Sequence, residues 1–255
     1  MSDAPFAGLL LGWKATKSGL RPNAADSSSK MSKAIAAATL DELGVPSDRE
    51  SGVADPATGR PLELAVAGAL KSELAQAAPD RPFVVLEKPG LVTDFEQYSH
   101  LKRVNNAAKK SAELRVTLGT DYLIKPDVVV ALPGVGAGAL PFLHAVVSCK
   151  WTIRSDRVQN IRHEYNQLIR HRRERLPHLM TVTAEPLPTR LVSIARGTGE
   201  VDATYHIAFD AMRAAISRLK KLGTLTKEQE IAWDEVVDLG RVRPYSDLAK
   251  TIARW

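Results

Sequence analysis

Three polar side chains occupy positions in two β-branched runs where apolar residues are expected. They are Asp127 in KPDVVV, and Ser148 and Lys150 in VVSCKW. Because side chains alternate along a strand, Ser148 and Lys150 share one face and Cys149 points to the other. If the two runs pair, Asp127 and Lys150 meet at neighbouring strand ends. Burying charges is costly unless they are paired or bind a metal, so this pattern indicates a functional site.

An acid and a lysine on neighbouring strands suit metal-dependent hydrolysis of a phosphodiester bond. The carboxylate of Asp127 would hold Mg²⁺, which polarises the scissile phosphate. The ammonium of Lys150 would orient or help deprotonate the attacking water and offset negative charge in the transition state. The two residues alone leave another interpretation open, in which they form a salt bridge that only stabilises the core.

A metal site of this kind needs a second acid. Nucleases of the PD-(D/E)xK class often carry it two residues before the lysine, but here that position is Ser148, a weak metal ligand at best. Glu164 is the natural substitute, because it lies fourteen residues after Lys150 on a helix that could pack back over the sheet. We therefore expect Asp127 and Glu164 as metal ligands, with Lys150 and Ser148 completing the catalytic site.

The elements that must position these side chains are two strands and the helix that follows them. Residues 126–132 and 143–152 are separated by PGVGAGALPF, whose glycines and prolines suit a hairpin loop. An amphipathic basic helix is predicted from about 155 to 175. Other predicted strands are 83–86, 179–183 and 191–195, and other predicted helices are 31–43, 61–77, 94–118, 208–222 and 227–239.

This order of elements predicts an α/β fold with a mixed central sheet flanked by helices. We expect one domain over residues 1–255, with a helical and loop decoration at 1–80, the catalytic core at about 81–200, and C-terminal helices at 201–255. With 44% hydrophobic residues the chain can bury a substantial core. It has no apolar run approaching the roughly 18 residues that span a bilayer, and a single cysteine, which excludes an internal disulfide. We expect a cytoplasmic protein.

The positive charge of the chain is concentrated in one stretch. The net charge is +6, a modest excess that by itself only weakly indicates a polyanionic partner. Residues 150–175 carry eight Lys and Arg against three Asp and Glu, so nearly the whole excess lies there. A solvated helix face explains most such runs. Here the run directly follows the predicted catalytic strand, which favours a nucleic-acid contact.

The motifs around this strand resemble those of a known family. PD at 126–127, SCKWTIRSDR at 148–157 and QNIRHE at 159–164 are similar to restriction endonucleases of the NgoMIV type, which cut sites with a central CCGG. The resemblance is close over about residues 120–165. It implies a PD-(D/E)xK fold in which the second acid has moved from the strand to the following helix, as Ser148 and Glu164 suggest. It also implies a glutamate on an early helix near the metal, and Glu63 in GRPLELA fits; an ordinary acid in a first helical turn is the alternative.

The resemblance assigns base reading to the RSDR segment, Arg154, Asp156 and Arg157. Guanine presents two acceptors that suit a forked arginine, and cytosine presents an amino donor that suits a carboxylate. Two arginines and one aspartate therefore satisfy one half of CCGG. A capped helix start with Asp156 as an N-terminal acid is the alternative. For the outer base pairs the family uses an N-terminal loop, and the candidates here are Asp26, Ser28 and Arg190, the last placed before a predicted strand.

These interpretations predict a type II restriction endonuclease that needs Mg²⁺ and cuts double-stranded DNA, with GCCGGC as the expected site. Around 55–59 (DPATG) no amide side chain stands where the family pattern places one. A palindromic target requires at least a homodimer, and the family implies a homotetramer. Two alternatives remain, a PD-(D/E)xK repair or recombination nuclease without strict specificity and a non-catalytic DNA-binding protein on the same fold. The compact RSDR segment argues against the first, and the presence of both Asp127 and Lys150 against the second.

Overall fold

The strands of this computed structural model form one central sheet and one small hairpin. The structure describes residues 3–17, 19–47, 59–197 and 199–254. The hairpin pairs β1 with β2, and the six-stranded sheet has the order β3-β4-β5-β6-β7-β8. The strands are Trp13–Thr16 (β1), Gly19–Pro22 (β2), Val84–Glu87 (β3), Val128–Leu132 (β4), Phe142–Lys150 (β5), His178–Thr183 (β6), Ala203–His206 (β7) and Val242–Pro244 (β8).

Helices flank this sheet, and none of those described is long and apolar enough to cross a membrane. The α-helices are Ala7–Leu10 (α1), Lys30–Glu42 (α2), Arg60–Ala77 (α3), His100–Lys110 (α4), Ala112–Leu118 (α5), Ser155–His171 (α6), Pro188–Ala195 (α7), Phe209–Lys221 (α8), Lys227–Asp238 (α9) and Leu248–Ala253 (α10).

The sheet is mixed, as the sequence predicts. β4 and β5 form the expected antiparallel hairpin, with Val128 opposite Val147. β3 joins β4 antiparallel, whereas β6, β7 and β8 extend the sheet in parallel from β5. Parallel neighbours need crossover connections, and α6 supplies the one between β5 and β6. The predicted α/β class with a mixed sheet and flanking helices is therefore confirmed.

Alternation along β4 and β5 divides the core into two layers. Val128, Val147 and Cys149 belong to the cluster beneath α3 and α10. Val129 and Val146 belong to the cluster on the opposite face, beneath α6. Because both faces are covered, the two strands are apolar almost throughout, which makes the polar side chains at their ends stand out.

The predicted strand 191–195 is wrong, since this segment lies in α7. Pro188 occupies the first turn, where its missing N–H costs nothing, and the buried side chains of Leu191, Ile194 and Ala195 have helical spacing. A short apolar run does not by itself distinguish strand from helix, and the proline decides here. Arg190 therefore lies within a helix and not ahead of a strand.

The predicted helix 94–118 is also wrong as a single element. Short 3₁₀ turns cover Val92–Asp94 and Glu96–Tyr98, and the helical region that follows is broken at Ser111. Ser111 is extended and its side chain accepts a hydrogen bond from the Leu114 N–H, which makes it the N-cap of α5. A serine that caps a new helix competes with continuation of the old one.

The other predicted elements are present with shifts of a few residues at their ends, and the structure also contains several short elements that were not predicted. The basic helix ends at His171, four residues earlier than expected. The region 201–255, expected to be helical, also contributes β7 and β8, so the central sheet extends beyond residue 200. The hairpin of β1 and β2 was missed as well.

Candidate active site

Asp127 is the centre of the polar cluster at the ends of β4 and β5. Its Oδ2 accepts hydrogen bonds from the backbone N–H of Cys149 at 2.8 Å and from Lys150 Nζ at 2.7 Å. The Ser148 hydroxyl donates to the same oxygen at 3.3 Å. The hairpin register brings these groups together, as the strand pattern predicts. Both charged side chains keep about a quarter or less of their surface exposed, at 25% for Lys150 and 22% for Asp127.

The second oxygen of this carboxylate is free for another ligand. All three donors reach Oδ2, and none of the described residues donates a hydrogen bond to Oδ1. A structural salt bridge alone does not require this one-sided arrangement. A carboxylate whose orientation is fixed through one oxygen can present the other to a cation.

Glu164 lies on α6, which packs over the same end of the sheet. Burial raises the pKa of its carboxyl, Lys150 lowers that pKa, and the nearby Asp127 raises it further. These mutual effects place Glu164 within electrostatic range of both residues. Its helix is fixed by the next residue, Tyr165, whose hydroxyl accepts a hydrogen bond from the Ser148 N–H at 3.1 Å and donates one to the Met180 carbonyl. One phenol thus joins α6 to β5 and β6 beside the site.

Glu63 lies in the first turn of α3 and is buried, with 8% of its surface exposed. Its Oε2 forms ion pairs with Arg60 at 3.5 Å and Lys88 at 3.9 Å, but it accepts no hydrogen bond from the described residues. Burial raises the pKa of the Cys149 thiol, and the Asp127 and Glu63 carboxylates act in the same direction. Glu63 is therefore near the site, on α3, which covers the face of the sheet to which Cys149 points.

The carboxylates fit a divalent cation that is completed by other ligands. Among the described residues no group of three or more His, Cys, Asp and Glu side chains forms a ready cage for a metal. Mg²⁺, however, is usually held by one or two carboxylates, with phosphate and water oxygens at its other positions. Oδ1 of Asp127 and the half-buried Glu164 suit that coordination.

A basic cleft adjoins this cluster, formed by the loop after β5, the start of α6, α7 and the hairpin of β1 and β2. One part of it, of about 220 Å³, is lined by Arg154, Arg157, Arg190 and Asp26. A wider part of about 830 Å³ adds Ser28 and the N-terminal turn of α6. The cleft thus brings most of the predicted base-reading residues together.

Arg157 is held in place by its own loop, whereas its neighbours face solvent. Its guanidinium donates to the Thr152 carbonyl at 2.9 Å and to the Thr152 hydroxyl at 3.0 Å. Arg154 and Asp156 are exposed, and Asp156 stands in the first turn of α6. An exposed acid in that turn also favours the helix, so both interpretations of Asp156 fit its position.

Asp26, Ser28 and Arg190 form a single hydrogen-bonded group. Arg190 pairs with Asp26 Oδ2, and the Ser28 N–H and hydroxyl donate to Oδ1 at 2.9 and 2.8 Å. The hydrogen bond from Arg190, with those from Ser28, holds the pKa of the Asp26 carboxyl well below its usual range. The sequence named these residues separately, and the fold places them in contact. Residues 55–58 of the DPATG segment lie outside the described residues.

Lys14 and Arg21 line the same cleft and were not among the predicted residues. They stand opposite each other in the hairpin of β1 and β2, so their side chains leave on one face. A hairpin predicted over WKAT and GLRP would have placed two further cations beside the predicted site.

Comparison with known proteins agrees with this arrangement. The model of the NgoMIV restriction enzyme family matches residues 12–137 and 133–253. The chain is 41% identical over 152 residues to the type II restriction enzyme NgoMIV of Neisseria gonorrhoeae. That alignment covers 50% of this chain and 53% of the relative, so the matched part spans about half the length of that protein. Because the family model matches nearly the whole length, this chain belongs to the NgoMIV restriction enzyme family.

Proposed function

We propose that this protein is a type II restriction endonuclease, a single-domain enzyme that hydrolyses phosphodiester bonds of double-stranded DNA. The observation that carries the proposal is the fixed pair of Asp127 and Lys150 at the ends of two adjacent strands, with Oδ1 of the aspartate open. The basic cleft beside the pair supplies a surface for the duplex, and membership of the NgoMIV family supports the assignment.

The residues that would hold Mg²⁺ are Asp127 and Glu164. When bound there, the ion would act as a Lewis acid on the scissile phosphate and lower the pKa of a coordinated water. Lys150 contributes a positive charge that is partly buried and oriented by Asp127, so it offsets charge on the phosphoryl group with little reorganisation. Ser148 steadies Asp127 through its hydroxyl, and Glu63 supports the site from α3. Attack by water then breaks the bond from phosphorus to the leaving oxygen.

The bases would be read from the basic cleft. Arg154 and Arg157 suit the guanines and Asp156 the cytosines of a CCGG core. Asp26, Ser28 and Arg190, which line the same cleft, would contact the pair outside that core, giving GCCGGC as the proposed site. Phosphate contacts from the remaining cations, including Lys14 and Arg21, would position the duplex without specifying its sequence.

Digestion of a plasmid library carrying all six-base palindromes tests this function. With purified protein and Mg²⁺ we expect discrete fragments whose ends share one site with a CCGG core. Replacing Mg²⁺ with EDTA should abolish cleavage. Degradation without a common end sequence would instead favour a nuclease that lacks strict specificity, and intact plasmid at all Mg²⁺ concentrations would contradict the proposed activity.

A palindromic site implies a symmetric assembly, since each subunit supplies one RSDR segment. We expect the free protein to sediment as a species larger than the 27.7 kDa monomer, and as a dimer of dimers with two duplexes bound. Sedimentation velocity with and without a GCCGGC duplex measures both. A chain that stays monomeric at micromolar concentration with the duplex present would contradict the proposed symmetric assembly. A dimer would contradict only the proposed tetramer.

A further inference from the structure

Glu185 is a fully buried carboxylate that belongs to neither of the groups described above. It follows β6 and has 0% of its surface exposed. Its Oε2 accepts a hydrogen bond from the Ile153 N–H at 2.7 Å, and its Oε1 accepts one from the Leu187 N–H at 3.0 Å. The Arg190 guanidinium lies 3.7 Å from Oε2. One side chain therefore contacts two segments at the basic cleft, the residue before the N-cap of α6 and the N-terminal turn of α7.

These contacts join the starting points of two helices. Ile153 immediately precedes Arg154, the N-cap of α6, and so leads directly into the RSDR segment. Leu187 is the N-cap of α7, the helix that carries Arg190. Neither N-cap side chain accepts a capping hydrogen bond from the first turn of its own helix. The carboxylate thus sets the spacing between the helix that presents Arg157 and the helix that presents Arg190 to Asp26.

An ionised carboxylate is the side chain that suits this position, although it is costly there. Its two oxygens accept from the two N–H groups at once, whereas an amide offers only one acceptor oxygen. Burial raises the pKa of Glu185 to about 7, against the opposing effects of the Leu187 and Ile153 amides and Arg190. Its negative form therefore reduces the stability of the fold, which argues for a role other than stability.

We propose that Glu185 is a positioning residue for base recognition. It fixes the RSDR segment relative to the Asp26 and Arg190 pair, so that both can contact the core and outer base pairs of one site at the same time. The proposal rests on the proposed function. It predicts that loss of the carboxylate weakens discrimination at both parts of the site, although Glu185 touches no base.

The test is the affinity of Glu185→Gln for three duplexes, measured with Ca²⁺ in place of Mg²⁺. They carry GCCGGC, an altered core (GCATGC) and altered outer pairs (ACCGGT). We expect the affinity ratios of GCCGGC to both altered duplexes to fall by roughly tenfold or more, the usual effect of a lost hydrogen bond to a charged group. Binding to a scrambled duplex should hold, because the phosphate contacts remain.

Gln97→Leu is the matched control for general loss of stability. Gln97 is fully buried, and its amide donates to the Leu143 carbonyl at 2.7 Å and accepts from the Leu143 N–H at 2.9 Å. Its removal should lower the melting temperature without changing either ratio. If Glu185→Gln keeps both ratios, or if Gln97→Leu lowers them equally, the positioning role is wrong. If the wild type itself shows ratios near one, the proposed function is wrong. The positioning role alone is wrong if the wild type discriminates and Glu185→Gln discriminates equally well.

The pH dependence of both ratios in the wild type provides a second measurement, with Glu185→Gln as its control. As pH falls from 8 to 6, Glu185 takes up a proton and can no longer accept from both amides, so both ratios should fall. Of the charged groups that face it, Asp26 and Arg190 keep their charge in this range, and burial lowers the pKa of His206, which contacts the Glu185 carbonyl, to about 4. Glu185→Gln should flatten this dependence, and a dependence that persists unchanged in that variant would overturn the proposal.

Discussion

Replacing Lys150 with alanine should slow DNA cleavage by about 10³-fold or more while leaving affinity for a GCCGGC duplex within about threefold, the pattern expected when an interaction acts only in the transition state. The ammonium lies 2.7 Å from Asp127 Oδ2 at the edge of the cleft, and the proposed base contacts come from other residues. Single-turnover cleavage with Mg²⁺ and equilibrium binding with Ca²⁺ measure the two quantities separately.

Asp127→Ala and Glu164→Ala should cause losses of the same order, because each removes a proposed metal ligand. Ser148→Ala is the matched control, since its hydroxyl makes the longest of the three hydrogen bonds to Asp127, at 3.3 Å, and the other two donors remain. Most of its cleavage rate should persist. Full activity of Glu164→Ala would transfer the second-acid role elsewhere, and a loss in Ser148→Ala as deep as in Lys150→Ala would contradict the assignment.

The contact between Asp127 and Lys150 could be predicted from the sequence because the two residues lie on consecutive strands of one hairpin. Two β-branched runs joined by a glycine-rich loop predict a hairpin, and alternation then fixes which side chains share a face. Glu164 required one more assumption, that the helix packs back over the sheet. The role of Tyr165 in holding that helix could not be foreseen, since its hydroxyl bonds to backbone groups of two strands that the periodicity does not relate.

The cleft was harder to predict because its parts are distant in the chain. Asp26 and Arg190 are 164 positions apart, and no pattern within either segment indicates that they form an ion pair. Assigning 191–195 to a strand also hid the relation of Arg190 to Glu185, which depends on the first turn of α7. Glu185 itself lies in AEPLP, where an acid followed by two prolines is typical of a surface turn. Its burial depends on contacts with Ile153 and Arg190, which are distant from it or hidden by the strand assignment.

Arg157→Ala should remove the preference for a CCGG core, at a cost of about 1–3 kcal/mol for each symmetric contact, if the guanidinium forks onto a guanine. Its hydrogen bonds to Thr152 reduce its mobility before DNA arrives, which favours a directional contact over a diffuse one. Arg170→Ala is a matched control, because it removes the same charge from an exposed position in the last turn of α6. That variant should weaken binding to cognate and scrambled duplexes alike and reduce the salt dependence.

Asp156→Ala separates base reading from charge attraction most sharply, because the two effects have opposite signs. Removal of an acid from a DNA-facing surface should tighten non-specific binding by reducing repulsion from phosphates. If Asp156 accepts hydrogen bonds from cytosine amino groups, affinity for GCCGGC must fall while affinity for a scrambled duplex holds or rises. Both duplexes would be measured at two salt concentrations with Ca²⁺. An unchanged ratio would mean that Asp156 serves only the first turn of α6, where its loss costs helix stability and not recognition.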